Sequence, residues 1–438
     1  MITKISRYFL ILLFLFANAV NASDKMVITL DAALQIAKEK NKNMLIVKQE
    51  NEKAGAQVTE AWSGALPQIF MNSVYDRNIM KPAFFLKFGE ETQKITMGLN
   101  NSIVNNISFS QPLWKGGKIG AALKIAKAYE NSSEYGVKKT WKNVRSDVKK
   151  SFYTILLTKE ARRIAEMSLK QAEAHYENVK KHFNQGMSSE FDLLRAEVNA
   201  SNYKPGVIEA KNNLELAYVS LKNLLGIDID KEIDIEGEYS YELIDETVMK
   251  ENRKNAVKNR ADFQEMEYLS QMYKLNIKIE KGNWLPDIYL TGGYQFQGMA
   301  DDFNLGKENR SNGVTAGVRM EFSIFDGLKT YSRVQQAQSD YQKIEYQKSQ
   351  LIDGIKMEIK QSELRMKEAR ERVETQRQNV IQAEKALKIA EVRYNNGIGT
   401  QLEFFDAQLI VEQARMGHIQ GIYDYLVAKT DWEKAVGL

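Results

Sequence analysis

Between Met366 and Tyr394, mostly apolar or small side chains recur by three and then four: Met366, Ala369, Val373, Gln376, Val380, Ala383, Leu387, Ala390 and Tyr394. Such an uninterrupted run of heptads is the seam of a coiled coil, and it commits the segment to a long helix packed against another. Asn395-Asn396-Gly397 ends the run with residues that tolerate the left-handed conformation. A second seam then begins at Leu402, Phe405, Leu409, Glu412, Met416, Ile419, Tyr423 and Leu426, so the spacing predicts a helical hairpin. The device occurs twice. Ala165, Leu169, Ala172, Tyr176, Val179 and Phe183 lead into Asn184-Gln185-Gly186, each position 211 residues before its counterpart between Gln376 and Gly397. The chain reads as an internal duplication.

Five prolines in 438 residues agree with long uninterrupted helices, and an apolar content of 43% is enough for a sizeable core. The absence of cysteine removes disulfides, thiolate zinc sites, cysteine nucleophiles and a lipid-modified cysteine from consideration. At the N-terminus, Lys4 and Arg7 precede an apolar run from Tyr8 to Phe16, followed by Ala17-Asn18-Ala19 and Val20-Asn21-Ala22. This is the pattern of an export signal over residues 1–22 that is cut away; an uncleaved anchor is the alternative, but a spanning helix needs ~20 apolar residues. Losing Lys4 and Arg7 leaves 59 basic residues against 57 acidic, a balance that gives no reason to invoke nucleic acid.

Three segments then follow: a first repeat over 23–225, an acidic connector over 226–243 and a second repeat over 244–438. Each repeat is expected to run helix, two strands, long helix, turn and return helix. The helices are predicted over Thr29–Ala61, Gly117–His182 and Ser188–Leu225, and again from Ile244 to Asn283 and through the two seams. A helix of some 65 residues is on the order of 100 Å long. Pro205-Gly206 predicts a kink in the first return helix. Pro67 and Pro286 mark the passage from helix to strand in the two repeats.

The second pair of strands is the clearer. Ile288, Leu290, Gly292, Tyr294 and Phe296 alternate with polar neighbours, as do Val314, Ala316, Val318, Met320, Phe322 and Ile324. Strands of ~10 residues with one apolar face suit an outer-membrane barrel, and they also suit a soluble antiparallel sheet lying on a core. Four strands cannot close a barrel alone, and lipid forbids open edges, so the barrel reading requires several chains to share one. Between the first two strands, Ile79–Gly98 contains Pro82-Ala83-Phe84-Phe85-Leu86, too apolar for an ordinary loop and compatible with a plug, a membrane-interface patch or a partner contact.

Taken in order, several motifs resemble the TolC-like outer-membrane efflux family over essentially the whole mature chain. Phe109-Ser110-Gln111-Pro112-Leu113-Trp114-Lys115-Gly116-Gly117 is similar to its strand-to-helix motif and is echoed by Phe322-Ser323-Ile324-Phe325-Asp326-Gly327. Tyr394-Asn395-Asn396-Gly397, continuing through Leu402 to Gln408, resembles its helix-tip motif. Asn259-Arg260-Ala261-Asp262-Phe263 resembles its Asn-Arg-Pro-Asp-Leu, with Ala261 in place of the proline. The resemblance implies a mainly α protein with a β-barrel part: long antiparallel helices forming an α-barrel, four transmembrane strands per chain, and a homotrimer closing a 12-stranded barrel in the outer membrane. It also implies a periplasmic adaptor, and an inner-membrane pump of the RND, ABC or MFS class, docking at the tips around Phe183, Gly186, Gly397 and Gly399.

By the same resemblance, Glu403 and Asp406 take the positions of acidic residues around the periplasmic constriction, where threefold symmetry would make two rings, with Tyr394 and Asp192 available to pair. As charges near a helix N-terminus they equally suit complementing its dipole. Where the best-known member has an arginine two residues after the tip glycine, this chain has Gly399. No catalytic constellation stands out. His175 and His182, seven apart on one helix, lack a third metal ligand, and Gly116-Gly117 lacks a lysine at phosphate-loop spacing. No cofactor is expected. A periplasmic coiled-coil scaffold without a pore is the rival reading; it accounts for the heptads but not for the strands.

Overall fold

The computed structural model describes residues 26–302 and 304–438; the expected export signal over 1–22 lies outside them. In chain order the elements are β1 (Met26–Ile28), α1 (Leu30–Lys40), α2 (Lys42–Ser63), β2 (Gln68–Arg77), β3 (Ala83–Phe88), β4 (Glu91–Thr96), β5 (Asn101–Lys115), α3 (Lys118–Asn184) and α4 (Glu190–Leu225). Then come β6 (Ile233–Ile235), α5 (Glu246–Asn259), α6 (Ala261–Gly282), β7 (Asp287–Ala300), β8 (Arg310–Glu321), α7 (Lys329–Asn395) and α8 (Gln401–Ala435). α3 and α7 are 67 residues each, about 100 Å at 1.5 Å per residue. α4 continues through Pro205 as one helix.

Two compact units cut across the repeats. One comprises residues 26–47, Lys139–Arg260 and Gly354–Leu438, the other Lys48–Lys138 and Ala261–Asp353, so each repeat contributes to both.

The second unit carries the antiparallel sheet β2-β5-β7-β8. Its register places Met71 opposite Ile107, Ile107 opposite Tyr294 and Tyr294 opposite Val314; six residues along the strands and on the same face, Ile288 is opposite Met320. One apolar face therefore crosses all four strands, and Ile69, Met71, Val314, Val318 and Met320 are exposed on it. The opposite face carries Asn72, Asn106, Gln295, Arg319 and Glu321. β8 ends at Glu321, so Phe322 and Ile324, expected to continue the alternation, lie beyond the strand.

Each strand gives way to its long helix through a left-handed backbone. Gly116 and Gly117 have φ of 55° and 76°, and 211 residues on Gly327 and Leu328 have 66° and 68°. A Cβ on Gly116 would run into the carbonyl oxygen of Gly282, whereas around Gly327 the space is open. Lys118 at the start of α3 pairs with Asp287 at the start of β7 at 2.9 Å, with both side chains mostly covered.

The segment 79–98 is a second hairpin, β3 with β4, not a loop. Its register puts Phe84 opposite Ile95 and Leu86 opposite Gln93, and Phe84, Leu86 and Phe88 remain exposed. Local alternation in Phe84 to Phe88 carries the strand signal; the prolonged apolar run hides it.

The helices predicted over Thr29–Ala61 and Ile244–Asn283 each break once, at Asn41 and Arg260, for the same reason. Asn41 Nδ2 donates to Leu224 O at 2.7 Å and Arg260 donates to Ala435 O at 3.2 Å, so each break is hooked onto the end of a return helix. Gly226 and Gly437, 211 apart and left-handed at φ 67° and 82°, end those helices against Lys40 and Asn259; a Cβ would stand 2.3 Å from Lys40 O at the first and 3.0 Å from Asn259 at the second. The first unit's core holds Ile28, Met44, Phe152, Ile155, Leu221, Leu225, Tyr425 and Trp432. Within the 226–243 connector, β6 pairs in parallel with β1, Ile235 opposite Ile28.

Candidate gate at the paired helix tips

Both hairpins turn by the same hydrogen bonds. Met187 N–H donates to His182 O and Gly186 N–H to Phe183 O, each at 2.8 Å, while Ile398 N–H donates to Arg393 O and Gly397 N–H to Tyr394 O, each at 3.0 Å. These pairs define helix ends that require a left-handed residue, and Gly186 and Gly397 supply it at φ 76° and 72°. Both glycines face open space. Phe183 is partly exposed beside the first turn.

The return helices start by a shared device too. Ser189 Oγ accepts from Asp192 N–H at 3.1 Å and Thr400 Oγ1 accepts from Glu403 N–H at 3.2 Å. Glu403 completes a capping box by accepting from Thr400 N–H at 3.3 Å, whereas the Asp192 carboxylate accepts from the Ser189 hydroxyl at 2.7 Å. Asp192 and Glu403 are thus the same position of two caps. Arg393 stands 3.7 Å from Glu403 and donates to Ile398 O at 3.2 Å. Half-exposed as this ion pair is, it contributes at most about 0.5 kcal/mol. Asp406, one turn on, is exposed and has no ion-pair partner among the described residues. Gly399 is closely covered: a Cβ there would stand 2.9 Å from Arg393 Cβ and 3.1 Å from Glu403 Oε2.

Tyr394 and Asp192 are electrostatic neighbours, not hydrogen-bonded partners. Burial, and secondarily the Asp192 charge, raise the Tyr394 hydroxyl above its ordinary range. The link between hairpins comes instead from residues outside the predicted set. Gln401 Nε2 donates to Asp192 O at 3.1 Å, and Gln408 Nε2 donates to Ser168 O at 3.2 Å. His175 on α3 is 7% exposed, stacks on Phe404 with centroids 4.3 Å apart, and touches Tyr394 at 5.0 Å and the edge of Phe405 at 5.5 Å. Burial pushes the imidazole down to about 4. It is neutral at physiological pH.

The second seam is therefore one residue out of phase with the sequence reading at its start. Gln401, Phe404, Gln408 and Val411 are buried, while Leu402 and Leu409 are about half exposed. The glutamines take interior places because their amides reach main-chain carbonyls, satisfying the donor that burial would otherwise strand. Their spacing of three and four with Phe404 and Val411 is visible in the sequence, but polar residues do not announce a core. The first seam of α7 is buried at Met366, Ala369, Val373, Ala383 and Leu387. Val373 is approached closely by Gly421, and Gln376 by Gly417. Among the described residues, no group of three His, Asp or Glu is placed to hold a metal.

Two helical hairpins with matched tips, joined to a four-stranded antiparallel sheet with one continuous apolar face, define a channel-type outer-membrane protein. The model of the outer membrane efflux protein family matches residues 33–227 and 252–438, and the chain belongs to that family. It is 21% identical over 412 residues to outer membrane protein TolC of Vibrio cholerae, covering 92% of this chain and 89% of that one. Its fold is that of the CmeC outer membrane channel of Campylobacter jejuni, with a TM-score of 0.77 at 19% identity, covering 93% of this chain and 85% of the other. VceC of Vibrio cholerae aligns with a TM-score of 0.76 at 16% identity, covering 93% and 96%. The protein is located in the outer membrane.

Proposed function

We propose that this chain is one subunit of a homotrimeric duct that carries substrates from periplasm to exterior in a tripartite efflux pump or a type I secretion system. The carrying observation is the pairing of β5 with β7. β5 is the second strand that the first repeat contributes to the sheet and β7 the first that the second repeat contributes; the equivalent pair is β8 with β2, which are the two free edges of the sheet. Open edges are not tolerated in lipid, so β8 of one copy meets β2 of the next, and three copies close 12 strands with the apolar face outward. The exposed apolar residues Phe191, Leu194 and Val198 on α4 and Leu402 and Leu409 on α8 fit burial between copies. Docking of an adaptor and an inner-membrane pump at the tips around Phe183, Gly186, Gly397 and Gly399 opens the duct, with Glu403 and Asp406 lining the constriction. Transport of this kind requires no catalytic centre.

The test uses the register. Phe109 faces Gly292 across β5 and β7, and the repeat offsets carry this pair to Met320 and Ser73. In a chain without native cysteine, Ser73→Cys with Met320→Cys should form intermolecular disulfides whose largest closed product is a trimer on a non-reducing gel. Products confined to monomer would reject the shared barrel and favour a poreless scaffold.

A further inference from the structure

In the first unit, a groove lies between α5 and α7 with Tyr425 of α8 at its base, enclosing about 270 Å³. Its floor is apolar, formed by Leu243, Ile244, Met249, Leu364 and Met366, and Leu243 and Leu364 remain 54% and 55% exposed. Its rim is basic: Lys250 and Arg253 on α5, and Lys360, Lys367 and Arg370 on α7. Of these five, only Arg253 has a carboxylate partner among the described residues, Glu363 at 3.5 Å. Glu246 is the other acidic residue lining the groove. α5 itself buries only Ala256, so it walls the groove without filling it.

Exposed apolar floor and like charges crowded on one rim both favour an occupant that brings the missing complement. The cations from Lys360 to Arg370 are strung along about 15 Å of helix, and Lys250 and Arg253 line the other wall. A single phosphate headgroup concentrates its charge at one point, whereas carboxylates spaced along a helix match a charged line. We propose that this groove is a docking surface for an acidic amphipathic segment of a partner protein, with leucine-sized side chains on the floor and carboxylates along the rim. The mode is helix-in-groove recognition. It is separate from the duct reading: the groove binds or fails to bind whether or not the chain conducts.

The test uses the full-length protein in detergent and a fluorescein-labelled peptide with leucines at helical spacing and glutamates between them, followed by anisotropy. The peptide should bind in a salt-sensitive way. Lys367→Glu with Arg370→Glu should weaken it by about tenfold, and Leu364→Ser by about threefold, with helical circular dichroism unchanged. A peptide with serine in place of leucine should bind markedly less. Absence of binding, equal binding by the charge-reversed protein, or equal binding of the serine peptide would each overturn the proposal. So would displacement of the peptide by soluble dioctanoyl phosphatidylglycerol, which would make the groove a lipid site.

Discussion

The side-chain amide of Gln401 donates to the main-chain carbonyl of Asp192, joining the first turn of α8 to the first turn of α4. This neutral hydrogen bond ties the two return helices together where both have just turned, beside the Asn178–Asn395 hydrogen bond at 3.3 Å and the stacking of His175 on Phe404. Replacing Gln401 by leucine should remove about 1 kcal/mol of tip stability and free the hairpins to separate. Single-channel recording in planar bilayers should show a larger open fraction for Gln401→Leu. An unchanged trace would make the bond a local strut with no part in gating.

His175 gives the tip an acid limit. Its imidazole, normally near 6.5, is lowered to about 4 by burial, so the folded protein favours the neutral form. The unfolded chain binds the extra proton first. Stability is therefore complete above pH 6.5 and is lost as pH falls toward 4, by on the order of 3 kcal/mol per chain. Thermal melting at pH 7.5 and 4.5 should show this loss, and His175→Phe, which keeps a ring against Phe404, should flatten the difference. Equal pH dependence in both proteins would place the acid sensitivity elsewhere.

Glu403 serves its own helix as a cap, so the proposed role of its charge at a constriction must be tested without uncapping α8. Glutamine keeps the capping box and removes the charge. Glu403→Gln with Asp406→Asn should leave the melting temperature nearly unchanged and weaken block by divalent or trivalent cations added from the periplasmic side. If block persists at native strength, these carboxylates act only on helix ends.

Gly116 and Gly327 occupy equivalent turns in unequal surroundings. Alanine at either meets a left-handed backbone, costing about 1 kcal/mol. At Gly116 it also meets the Gly282 carbonyl within the chain. Gly116→Ala should therefore lower the yield of folded chain. In the proposed ring, the counterpart of Gly282 is Ser63 of the next copy, 219 residues earlier in sequence. Gly327→Ala should fold and then assemble poorly, read as monomer on a semi-native gel. Indistinguishable behaviour of the two variants would contradict that asymmetry.

The heptads of Met366–Tyr394, the tip glycines and the four sheet strands were legible because each rests on local periodicity or on a backbone that only certain residues tolerate. The helix breaks at Asn41 and Arg260 were not, since each is set by a carbonyl more than a hundred residues away, at Leu224 and Ala435. The burial of His175, Gln401 and Gln408 was hidden for a related reason. Their polarity argues for the surface, and only the distant carbonyls and aromatic rings they meet in the fold make an interior place affordable.

The bond between β5 and β7 joins the repeats inside one polypeptide, and this changes the kinetics of ring formation. Of the junctions between repeats in the proposed barrel, every second one, β5 with β7, closes at the effective concentration of a tethered pair, before any other copy is encountered. Only the β8-to-β2 seams wait on collision. A chain cut between the repeats, within 226–243, would turn every junction between repeats into an encounter between separate molecules, so the order of the assembly reaction in protein concentration would rise even though every contact in the finished ring stayed the same.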